Sequence, residues 1–110
     1  MSNSIEDLFE AVMLERGKSG EMSRTAKLFQ DGRIKIAKKL VEEATEVSLE
    51  CVANNRDEVV IESVDMLYNW VVLLTEMGIR PAEIWHEMTV REKNLGMAEK
   101  LPKKRLPMER

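Results

Sequence analysis

Cysteine is nearly absent from this chain: Cys51 stands alone, so no intrachain disulfide can form. A cysteine-rich zinc site is excluded for the same reason, and a reducing compartment suits a single thiol. Histidine is equally scarce. His86 is the only one, which leaves neither an imidazole cluster for a transition metal nor a Ser-His-Asp set for acyl transfer. Aromatics are 5% of the 110 residues, and there are only five Gly and three Pro. Long stretches without a helix breaker point to an all-α fold rather than a sandwich or barrel. No apolar run approaches the length of a membrane span, and the opening Met1-Ser-Asn-Ser-Ile5-Glu6-Asp7 does not read as a signal peptide. The expectation is a cytoplasmic protein with no membrane and no nucleic-acid partner, since the net charge is −3.

What is present is charge and helical periodicity. Charged residues are 34% of the chain. Ile5, Leu8, Phe9, Val12 and Met13 recur at helical spacing, predicting a helix over 4–16. Residues 18–32 are polar and irregular, with at most a short helical turn around Lys27. Ile36, Leu40, Ala44, Val47 and Cys51 form one stripe of a long helix over 33–53. Asn54-Asn55-Arg56 reads as a bend. A third helix over 57–77 is apolar on most sides, as expected at the centre of a bundle. Gly78 ends it, and Pro81 opens a fourth over 81–94. The prediction is a bundle of about four helices at 1–96 and a basic tail at 97–110. The apolar excess on the third helix predicts that the bundle is completed by homo-oligomerisation, as a dimer or a tetramer.

The most informative pattern is acidic. Glu42-Glu43-Ala-Thr-Glu46 precedes the bend, and Glu62-Ser-Val-Asp65 follows it. If the chain folds back near Asn54, Glu46 and Glu62 are equidistant from the bend, and so are Glu43 and Asp65. A spacing of three keeps each pair on one helix face. Four carboxylates then face one another, which is tolerable only around a positive charge. Acidic helix residues more commonly face water and pair with a Lys one turn away, and Lys39 stands four residues before Glu43. Asp65 argues against that, because it lies in the most apolar stretch, where an unpaired buried charge costs on the order of several kcal/mol. An all-oxygen set favours Mg²⁺, with Mn²⁺ as the alternative. Such a cation keeps several waters and grips phosphates. Lys27, Arg33, Lys35, Lys38 and Lys39 closely precede the acidic cluster. Lys39, one turn from Glu43, can point along the same face toward the phosphate charge, while Lys35 and Lys38 lie on other faces and are expected to be solvated. No P-loop or glycine-rich fingerprint is present.

Glu43-x-x-Glu46 with Glu62-x-x-Asp65 resembles the signature of the all-α NTP pyrophosphohydrolases, the MazG-like superfamily. Ser23-Arg-Thr25-Ala26-Lys27-Leu28, the block from Ile36 to Val47, Glu62-Ser-Val-Asp65-Met-Leu67-Tyr68 and Val71-Val72-Leu73-Leu74 are similar to the phosphoribosyl-ATP pyrophosphohydrolase family. The resemblance implies an α-helical dimer or larger assembly of histidine biosynthesis. It implies Mg²⁺-dependent cleavage of phosphoribosyl-ATP to phosphoribosyl-AMP and pyrophosphate. By position it makes Glu43, Glu46, Glu62 and Asp65 metal ligands, and places Glu42 in or next to that shell. Lys27 and Lys39 would meet phosphates. Glu42 or Glu43 would accept a proton from water. Arg24, Val41 and Asn69 depart from the pattern, standing where Tyr, Gly and His are common. Asn69 lies one turn past Asp65 on the site side, where it would touch the nucleotide. Apart from the resemblance, the basic tail has two readings: a solvated, partly disordered end, or a segment in which Arg91, Lys93 and the residues to Lys104 fold back toward the anionic substrate. Two other readings share part of this sequence: a house-cleaning pyrophosphohydrolase of another nucleoside triphosphate, and a non-catalytic dimerisation module.

Overall fold

A computed structural model describes residues 4–95. Five helices are described in it: α1 Ser4–Glu15, α2 Arg24–Asp31, α3 Arg33–Val52, α4 Arg56–Glu76 and α5 Pro81–Leu95. Among the described residues there is no strand, as the scarcity of Gly, Pro and aromatics predicts. The basic tail at 97–110 lies outside the described residues. The chain divides into two compact units, one ending at Arg80 and one beginning at Pro81.

The first unit is built on an antiparallel hairpin of α3 and α4. Its bend follows from Asn54, which takes φ 60°, a left-handed conformation that Asn tolerates better than most residues. The amides of Asn55 and Asn54 then close onto the carbonyls of Glu50 and Cys51, at 3.0 and 3.1 Å, a Schellman arrangement that satisfies the end of α3. The Asn55 side chain adds a bond to Glu50 Oε1 at 2.9 Å. Gly78, at φ 72°, ends α4 in the same way, with Ile79 N donating to Leu74 O at 2.9 Å.

Phe9 and Val12 of α1, Leu28 of α2, Ile36 of α3, and Val71 and Val72 of α4 make the core. The core therefore sits at one end of the hairpin, the end holding the start of α3 and the finish of α4. Two arginines tie that end together. Arg16 donates to Thr75 O at 3.0 Å and pairs with Glu76 at 3.4 Å, and Arg33 pairs with Glu76 at 3.7 Å. These half-exposed pairs contribute at most about 1 kcal/mol each, but they fix the height of α3 against α4.

One element exceeds the sequence expectation. The polar segment predicted to carry a single turn holds an eight-residue helix, α2. Ser23 Oγ accepts from Ala26 N at 3.1 Å and caps it, and Ala26 and Leu28 supply its buried face. Gly32, at φ 96°, separates α2 from α3 and lets two helices meet across one residue. Cys51 departs from its predicted stripe. It is exposed, because nothing in the described structure covers α3 near the bend. It lines a cleft of about 280 Å³ with Asn54, Arg56, Val59 and Val60.

Candidate metal and phosphate site

The acidic residues meet where the two long helices run side by side, toward the bend from the core. One carboxylate oxygen each from Glu43, Glu62 and Asp65 lies within 4.8 Å of the others. Glu46, one turn beyond Glu43 on α3, lies beside Glu62 at the edge of this group. The predicted fold-back thus gathers Glu43 of α3 with Glu62 and Asp65 of α4, and leaves Glu46 at the margin, where it lines a cleft with Glu62. That cleft, of about 400 Å³, is also lined by Leu49 and Glu50. Glu50, four residues past Glu46 on α3, is the acidic residue of this cleft that the sequence pattern of threes does not mark. Its Oε1 is held by Asn55, so it serves the bend.

The electrostatics of the cluster are those of acid crowding. The carboxyl of Glu62 is pushed up to about 7 by its hydrogen bond with Glu46, then by partial desolvation and by the negative charges of Glu46 and Glu43. Oε2 of Glu43 is closed to solvent and has no hydrogen-bond donor. A buried carboxylate oxygen facing other carboxylates, with no donor of its own, fits coordination to a cation. The donor set is hard oxygen throughout, which suits Mg²⁺ or Mn²⁺.

Lys39 does not form the one-turn pair with Glu43 that a solvated acidic face would show; among the described residues no ion pair joins them. One expectation about an individual residue needs correction. Asp65 is exposed, as are Val60, Ile61 and Val64 on the same helix, so the burial penalty argued for it does not arise within a single chain. Among the described residues nothing covers that flank of α4. Lys27 is engaged by Asp31 at 3.2 Å, one turn along α2.

The remaining candidates fall in distinct places. Glu42 is exposed beside Glu43, on the next face of α3. Asn69 is buried on α4, one turn beyond Asp65, whose carbonyl accepts from Asn69 Nδ2 at 2.9 Å. Lys39 is half-buried one turn before Glu43. Arg91 lies on α5 in the second unit, where its Nε donates to Glu87 at 3.0 Å.

Fold and cluster together define an all-α protein with a carboxylate site gathered in a helical hairpin. Residues 7–92 match the family described as Phosphoribosyl-ATP pyrophosphohydrolase. The chain is 50% identical over 106 residues to "Phosphoribosyl-ATP pyrophosphatase 2" of Rhodopseudomonas palustris, covering 96% of this chain and 81% of that protein. It is 53% identical over 103 residues to the protein of the same name from Bradyrhizobium diazoefficiens, covering 94% and 77%. The phosphoribosyl-ATP pyrophosphatase of Gluconobacter oxydans is 39% identical over 93% of this chain and 78% of its own length. The chain belongs to the phosphoribosyl-ATP pyrophosphohydrolase family.

Proposed function

We infer that this chain hydrolyses phosphoribosyl-ATP between its α and β phosphates, giving phosphoribosyl-AMP and pyrophosphate, the second step of histidine biosynthesis. The observation that carries the reading is the gathering of Glu43, Glu62 and Asp65 within 4.8 Å in a member of this family. Glu43, Glu46, Glu62 and Asp65 would hold Mg²⁺, with Mn²⁺ as a substitute. When bound, the cation supplies Lewis acidity and offsets phosphate charge. The chain's own groups do the rest. Lys39 contributes positive charge beside the cluster, and Lys27 joins it by exchanging Asp31 for a phosphate. Glu42 or Glu43 accepts the proton of the attacking water. Water rather than a side chain is the attacking nucleophile in this reading, so no covalent enzyme intermediate forms.

We also infer a homo-oligomer, acting in the cytoplasm. Val41, Leu49 and Val52 of α3 and Val60, Ile61 and Val64 of α4 are each more than half exposed, on the two helices that carry the carboxylates. Apolar surface of that extent on a hairpin supports burial against a second copy.

The test is steady-state release of pyrophosphate from phosphoribosyl-ATP and from a panel of nucleoside triphosphates, run in water labelled with heavy oxygen. Preference for phosphoribosyl-ATP with label in the monophosphate product is expected. Preference for a simple nucleoside triphosphate would overturn the substrate. Label only in pyrophosphate would overturn attack at the α-phosphorus.

A further inference from the structure

Four polar side chains are buried in the described structure: Ser23, Thr25, Asn69 and Thr75. Three of them are satisfied. Ser23 caps α2, Thr25 shares a 2.6 Å hydrogen bond with Tyr68, and Thr75 donates to Val71 O at 2.8 Å. Asn69 is the exception. Its Nδ2 is spent on the Asp65 carbonyl at 2.9 Å, while its Oδ1 is closed to solvent and has no donor. Exchanging the amide atoms would set Oδ1 against that carbonyl, so the orientation is fixed by the bond itself. A buried acceptor without a donor destabilises a fold. Its persistence beside a cluster of carboxylates points to a partner that arrives with a ligand.

The hairpin register says which partner. Glu43 stands opposite Asp65, and Arg33 is paired with Glu76. Between these two fixed heights, one turn from Glu43 on α3 and one turn from Asp65 on α4, Lys39 comes opposite Asn69. A donor entering from solvent cannot reach an oxygen that solvent does not touch. A long side chain on the facing helix can. Lys39 is half-buried, its ammonium is uncommitted among the described residues, and it offers three donors and no acceptor.

We propose that Asn69 is a positioning residue: its Oδ1 receives the Lys39 ammonium when a phosphate group occupies the carboxylate site, and so aims the remaining Lys39 donors at that phosphate. Without the phosphate the ammonium keeps its hydration, and the amide oxygen stays unpaired. With it, the anion offsets the loss of hydration and both groups are satisfied. The inference rests on the phosphate-binding reading of the site, but not on the identity of the nucleoside.

The experiment is a double-mutant cycle of Lys39→Met and Asn69→Leu, read by calorimetric titration of the Mg²⁺-loaded protein with inorganic pyrophosphate. Each single substitution is expected to weaken binding about tenfold, and the double substitution no more than Lys39→Met alone. Melting of the Asn69→Leu protein without Mg²⁺ or pyrophosphate should occur no lower than the wild type, since the unpaired oxygen is gone. If Asn69→Leu does not fold, Asn69→Ala takes its place in the cycle. Losses that multiply in the double variant overturn the proposal. So does a lowered melting temperature with pyrophosphate affinity intact, which is the mark of a purely structural amide, and so does a wild type that does not bind pyrophosphate. Turnover of phosphoribosyl-ATP is measured beside the cycle. An active wild type with an uncoupled cycle sinks this inference and leaves the activity standing. A coupled cycle in a protein inactive on phosphoribosyl-ATP does the reverse.

Discussion

Replacing Glu43 by Gln should make the metal-free protein more stable and the enzyme inactive. Oε2 of Glu43 is closed to solvent and lacks a donor, and acid oxygens of Glu62 and Asp65 lie within 4.8 Å of the Glu43 carboxylate. Glu43→Gln converts that acceptor into an N–H₂ donor facing acceptors and removes one negative charge from the cluster. Relieving an unsatisfied buried group gains about 1–3 kcal/mol. For a chain of this length about 1 kcal/mol moves the melting temperature by about 4 °C, so the gain in EDTA is roughly 4–12 °C. Adding Mg²⁺ should reverse the order. At about 100 times its Kd the ion stabilises the wild type by about 2.7 kcal/mol, while a variant that has lost a ligand gains much less. Turnover of phosphoribosyl-ATP should fall by about a hundredfold or more, beyond the range seen when outer partners of a metal ligand are removed. Differential scanning calorimetry in EDTA and in Mg²⁺, with a pyrophosphate-release assay, reads all three effects. A variant that melts below the wild type in EDTA, or that keeps both its Mg²⁺ shift and its turnover, would refute the reasoning.

The Glu62 carboxyl gives a pH prediction. Its folded-state value, raised from 4.5 to about 7, means that the folded metal-free protein holds a proton the unfolded chain releases. That contribution to stability is complete below pH 4.5 and is lost as pH rises through about 7. Melting temperatures in EDTA should therefore carry a component that declines across that window, absent from Glu62→Gln and removed by Mg²⁺. A Glu62→Gln protein with the same pH slope as the wild type would sink the coupling. The exposed flank of the hairpin predicts assembly. Light scattering at micromolar concentration should return a dimer or larger, and Val60→Lys together with Val64→Lys should shift it toward monomer. A monomeric wild type would refute that reading.

Much of this protein was legible in the sequence because its architecture is local. Helix limits follow from the i to i+4 recurrence of apolar residues, from Pro81 and from Gly78, and the observed limits of α3, α4 and α5 lie within one residue of those predicted. The carboxylate site was legible because a two-helix hairpin has one degree of freedom, the position of its bend. Asn54-Asn55 disclosed that position, and Glu43 and Asp65 then had to meet. What the chain order left undecided was every property set by distant neighbours. The burial of Ser23 and Ala26 turned a polar segment into α2. Among the described residues no element covers the bend, which leaves Cys51 exposed, and none covers the flank of α4 that carries Asp65. Asp31 claimed Lys27. No pattern of residue types announces the unpaired oxygen of Asn69, because an amide's partners are a fact of packing. Periodicity along one helix specifies which face a residue occupies. Only the arrangement of the other helices decides whether that face meets water, a core or a charge.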